Sequence, residues 1–166
     1  EKEKIEIDGY NYDSVDKEKL TIGTGENVIT FYYTKRTDLS YTVKYLEKGT
    51  NKKLHNEKTV ENQTFGAEIT SASEKIDIDG YNYDSVEPEE KLTIGTGKNA
   101  ITFYYTKRND LSYTVNYIDK DTGKAIINAK TVENQTFGAV IESEKEKIEI
   151  DGYNYDSVDK NTLTIG

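Results

Sequence analysis

Ile5-Glu6-Ile7-Asp8-Gly9-Tyr10-Asn11-Tyr12-Asp13-Ser14-Val15 returns with one Glu-to-Asp change as residues 76–86, and unchanged as residues 148–158. The offsets are 71 and then 72 residues, so the chain is a tandem repeat and is read as one. A single inserted residue explains the difference. Four residues, 16–19, separate Val15 from Leu20, whereas five, 87–91, including the only proline, Pro88, separate Val86 from Leu92. A length change tolerated at that point marks a surface loop. Aligned without gaps, residues 39–86 and 111–158 share 34 of 48 positions, so the copies must share one fold.

The module borders fall at Lys35-Arg36-Thr37-Asp38 and Lys107-Arg108-Asn109-Asp110, after an aromatic run and before Leu-Ser-Tyr-Thr-Val. One whole module is present, 38–109. Residues 1–37 are the second half of a preceding copy, and residues 110–166 are a following copy that lacks its last strand. The connectors hold no Gly, Pro or Ser run, so neighbouring modules are expected at a limited range of angles, giving an elongated, semi-rigid rod.

Within a module the period is two. Ile29, Phe31 and Tyr33 alternate with Thr30, Tyr32 and Thr34; Tyr41, Val43 and Tyr45 with Thr42, Lys44 and Leu46; Ile76 and Ile78 with Asp77 and Asp79. Each set predicts a half-buried strand. Gly49-Thr50-Asn51 and Asp121-Thr122-Gly123 read as hairpin turns, and Gly80-Tyr81 and Gly23-Thr24-Gly25 as bends. Helical character is confined to 71–75 and 143–147, a turn of helix at most. Five or six short strands in roughly 70 residues make a small β-rich α+β module, which buries only about 60% of its unfolded surface.

Composition narrows the chemistry. Leu, Ile, Val and Phe supply only 36 of 166 residues, near the level at which chains stay disordered, but 14 tyrosines add apolar rings with wet hydroxyls. Folded, small cores are expected. With no cysteine there is no disulfide, thiolate metal site or thiol nucleophile, and the one histidine, His55, aligns with Ile127 of the next copy. No catalysis and no cofactor are expected. A net charge of −9 and a pI near 4.8 disfavour nucleic acid and anionic lipid. No apolar stretch approaches the roughly 20 residues that span a bilayer, and the first residues carry no signal-peptide core, so an internal fragment of a longer chain is expected.

Tyr41-Thr42-Val43-Lys44-Tyr45, Lys58-Thr59-Val60, Phe65-Gly66-Ala67, Ile78-Asp79-Gly80-Tyr81, Leu92-Thr93-Ile94 and Asn99-Ala100-Ile101-Thr102-Phe103-Tyr104-Tyr105 follow one another as in the mucin-binding protein (MucBP) repeat, which the chain resembles over nearly its whole length. The resemblance implies a β-grasp-like, ubiquitin-like module arrayed on extracellular, sortase-anchored, cell-wall surface proteins of Gram-positive bacteria. Mucin or host glycans are the implied partners, besides neighbouring repeats of the same chain. Two functions are open: a stalk that also gives weak multivalent glycan contact, and a pure spacer that projects a separate binding domain.

For a glycan, the residues to examine are tyrosines, because a sugar's apolar face stacks on an exposed ring. Alternation places Tyr32 and Tyr104 on the face opposite Ile29, Phe31 and Tyr33 and their counterparts, and Tyr81 and Tyr83 follow a glycine bend beside Asn and Asp. These four are the candidate site. The competing reading gives the rings to the core. Asp77 and Asp79 lack the spacing of a calcium loop and read as solvated edge charges that discourage strand pairing. Lys44 and Asn99 would be the pair for an intramolecular amide bond, but Asn116 replaces Lys44 in the next copy.

Overall fold

The computed structural model describes residues 4–166. The described residues contain twelve strands and two single 3-10 turns, Ser71–Glu74 and Ser143–Glu146, which lie at the two places of expected helical character. Among the described residues there is no α-helix. By contacts the chain divides into two units. One runs through residue 76 and resumes over 84–104; the other comprises 77–83 and 105–166.

The first half-repeat forms a hairpin of β1 (Tyr10–Val15) and β2 (Phe31–Lys35). The complete repeat supplies β3 (Leu39–Glu47), β4 (Lys58–Gln63), β5 (Glu68–Thr70), β6 (Tyr81–Glu87), β7 (Lys91–Thr93) and β8 (Ala100–Lys107). Four of these make one sheet in the order β4-β3-β8-β6, and β5 pairs with β7. The last copy repeats the pattern in part, with β9 (Leu111–Val115) against β10 (Lys130–Gln135) and β11 (Val140–Glu142) against β12 (Thr162–Thr164).

The period-two reading holds where it matters most. Leu39, Tyr41, Val43 and Tyr45 are buried along β3, as are Ile101, Phe103 and Tyr105 along β8, and the Tyr45 ring stacks on Phe103 with centroids 5.5 Å apart. The hydroxyls of Tyr41 and Tyr45 reach the end of the 3-10 turn, donating to Oε1 and to the backbone carbonyl of Glu74, each at 2.8 Å. A tyrosine-rich core is thereby dry at the ring and satisfied at the oxygen. The loop carrying the inserted residue, 88–90, lies between β6 and β7, with Glu89 and Glu90 exposed.

Two strand expectations fail. Residues 76–79 keep the alternation, Ile76 and Ile78 half-buried and Asp77 and Asp79 exposed, but belong to no strand. An extended segment that lies with one side against the protein shows the same period as a paired strand, so the pattern reports one-sided burial and not a ladder. Ile29 likewise lies outside β2 and is exposed, whereas its counterpart Ile101 is fully buried. Residues 1–37 carry no counterpart of β3 to cover it.

Candidate binding surface

Tyr32 is the second residue of β2, half exposed, on the face away from Phe31 and Tyr33, whose rings meet Tyr12 at 6.4 and 5.9 Å. Across the hairpin it faces Ser14, where the register skips Asp13. A bulge of this kind turns the strand and re-aims its side chains. Tyr104 holds the same place in β8, half-buried between the buried Phe103 and Tyr105. Strand alternation therefore directs both rings away from the core, as expected.

Tyr81 and Tyr83 are placed differently. Tyr81 meets the edge of Phe137 at 5.6 Å, and Tyr83 meets Tyr105 at 6.0 Å, on the core side of β8. Neither shares a face with Tyr104. At the position of Tyr83 in the other copies a lysine covers the ring: Lys4 lies 4.1 Å from the centre of Tyr12, and Lys147 lies 4.2 Å from that of Tyr155. These rings are engaged by cations or aromatic neighbours, which leaves Tyr32 and Tyr104 as the outward pair.

Polar groups that sequence reasoning missed surround these strands. Asp84 accepts from Lys48 at 2.6 Å and from Ser85 at 2.7 Å, and Asp156 accepts from Lys120 and Ser157 at 2.7 Å each. Hydrogen bonds from the lysine first, then the serine, hold both carboxyls below the usual range. Both pairs are 36 residues apart in the two copies, a recurrence visible in the sequence once the repeat is aligned.

A second recurring group is Tyr41, Lys58 and Glu74, matched by Tyr113, Lys130 and Glu146. Burial pushes Tyr41 up to about 12, aided by the hydrogen bond it gives Glu74. Burial would raise Glu74 as well, but bonds from Lys58 and Tyr41 outweigh it and its carboxyl lies low. The tyrosine thus stays protonated and the carboxylate ionised across neutral pH, so the pair exchanges no proton there. Because the folded pKa of Glu74 is depressed, its contribution is complete above the ordinary value of 4.5 and vanishes as pH falls through the lower folded value. Melting temperature is expected to fall with acid in that window, and Glu74→Gln is expected to flatten the fall. An unchanged acid limb in the variant would assign the loss to other carboxylates.

Asn99 is spent on shaping a loop. Its amide nitrogen donates to the carbonyls of Ser40, Gly95 and Gly97, and its oxygen accepts from the Gly95 N–H. The Lys44 ammonium lies 3.6 Å from Glu57 instead, so the two are not placed for an amide bond. His55 packs edge-on against Tyr45 at 5.5 Å. Among the described residues no group of three or more His, Asp or Glu is placed to hold a metal ion, and no helix is long and apolar enough to cross a membrane.

A family model described as the MucBP domain matches residues 41–106 and again 113–166, together well over half of the chain. No curated protein matches it.

Proposed function

Because the chain belongs to the MucBP domain family, we propose that it is a repeat segment of a cell-wall-anchored surface adhesin of a Gram-positive bacterium, and that its modules make weak, multivalent contacts with mucin or host glycans. What supports this most is recurrence: the family match occurs twice, and the outward tyrosine occurs twice, at Tyr32 and Tyr104. Weak sites at a regular spacing gain avidity through effective concentration, provided several engage at once. Tyr32 and Tyr104 are the rings proposed to carry the sugar contact; Tyr81 and Tyr83, which meet Phe137 and Tyr105 on the other face, fall outside it.

The test is binding of the 166-residue chain to immobilised mucin and a glycan array, beside a variant with Tyr32→Ser and Tyr104→Ser whose fold is verified. If a sugar face is worth what an aromatic partner is, roughly 0.5–1.5 kcal/mol per ring, the double variant loses about fivefold or more of its apparent affinity. Retained binding would move the site off this face. No binding by the parent, even when displayed multivalently, would favour the second reading, a spacer that projects another domain. The Tyr81 ring against Phe137 of the next repeat favours that reading, since a spacer depends on its joints.

A further inference from the structure

The chain makes one turn three times, at Gly9-Tyr10, Gly80-Tyr81 and Gly152-Tyr153. Glycine adopts φ of 78, 76 and 76° in turn, and the tyrosine N–H donates to the carbonyl of Ile7, Ile78 or Ile150 at 3.0, 3.1 and 3.0 Å. Two of the three turns are covered. The Phe65 ring lies over Gly9 and the Phe137 ring over Gly80, so closely that a methyl group on either glycine would overlap the ring. The following tyrosine meets the same ring edge-on, Tyr10 with Phe65 at 5.7 Å and Tyr81 with Phe137 at 5.6 Å.

The backbone bonds match as well. Arg36 and Arg108 donate their N–H to Gly9 and Gly80, and Phe65 and Phe137 donate theirs to the carbonyls of those arginines, all at 2.9 Å. Each arginine side chain is held by the aspartate two residues on, Asp38 or Asp110. In both cases the glycine turn belongs to one repeat and the Thr-Phe-Gly turn, 64–66 or 136–138, to the next. Over Gly152 nothing lies within 4 Å, and Tyr153 is exposed. The third turn therefore has the same backbone as its filled counterparts without the ring, which makes it preorganised for one.

We propose that Gly152-Tyr153 is a docking socket for the Thr-Phe-Gly turn of a further copy of this module, and that successive repeats are joined socket to turn at every border. Glycine is required twice over: its left-handed φ strains any other residue, and any Cβ fills the space of the ring. The proposal does not depend on glycan binding.

Proton NMR of the 166-residue chain tests it directly. A glycine beneath an aromatic face has its Hα signal displaced upfield, so Gly9 and Gly80 are expected to be displaced and Gly152 not. Phe137→Leu is expected to return Gly80 alone to an ordinary position. Lengthening the chain past Gly166 with a second copy of residues 96–166 is expected to displace Gly152 like the others. Gly152 unmoved in the lengthened chain, or Gly9 and Gly80 undisplaced in the parent, would overturn the proposal. Substitution provides an independent reading: in the parent, Gly80→Ala is expected to lower the melting temperature more than Gly152→Ala, because only the first meets a ring as well as backbone strain. Equal losses would mean that the glycine serves only the turn.

Discussion

Phe103→Ala is expected to leave the complete repeat largely unfolded. Phe103 is 1% exposed, lies in the middle of β8, and stacks on Tyr45, itself part of the buried face of β3. Truncating a buried phenylalanine costs about 3–5 kcal/mol, through lost transfer energy and the cavity left behind. Stability of a domain is about 5–15 kcal/mol and small modules stand at the low end, so one such loss removes most of it. At roughly 4–8 °C per kcal/mol, the melting midpoint falls by tens of degrees. The chain contains its own control, since Phe31 holds the same place in β2 but is only half-buried against Tyr12. Phe31→Ala is expected to cost well under half as much. Urea melts followed by backbone amide signals in β3 and β1 separate the two effects; equal losses would show that the hairpin of 1–37 is as tightly packed as the complete repeat.

Asn99→Ala is the second large effect, expected at about 4 kcal/mol. Four hydrogen bonds converge on one amide that is 8% exposed, and each contributes about 1 kcal/mol net, with a further cost for stranding buried carbonyls. One bond, to Ser40, ties the loop to the start of β3, and the backbone carbonyl of Asn99 also accepts from the Thr42 N–H. Asn27 repeats the local part of this clamp, bonding Gly23 and Gly25, but lies exposed. Asn27→Ala is expected to cost under about 1 kcal/mol, because water replaces what is lost. Asn99→Asp, which keeps the acceptor and loses the donors, is expected to fall between. Chemical denaturation of the three variants decides the matter, and a mild Asn99→Ala would mean that the loop is held by its backbone alone.

Much of the candidate surface was legible in the sequence. Alternation around Phe31 and Phe103 is enough to send Tyr32 and Tyr104 outward, since a strand has only two faces. Tyr81 was not legible in the same way. Its partner, Phe137, stands in the next repeat, 56 residues along the chain, and nothing local to Gly80-Tyr81 announces the ring that covers it. Nor was the partner of Asp84 legible, because its lysine, Lys48, reaches it through the fold and not along the strand.

The sequence alone determined the repeat, the strand period, the insertion-tolerant loop and the family, all of which follow from local pattern and self-comparison. What it could not determine is shown by eight residues. Asp-Gly-Tyr-Asn-Tyr-Asp-Ser-Val stands identically at 8–15, 79–86 and 151–158. In the first two places its Tyr-to-Val part lies in β1 and β6; in the third, residues 153–158 form no strand, and Tyr153, Tyr155 and Val158 are exposed. The glycine turn forms in all three, because it closes within four residues. A strand has no hydrogen bonds of its own and exists only where a neighbour accepts its ladder. β2 and β8 are those neighbours, and residues 110–166 contain no Phe-Tyr-Tyr run to take their place.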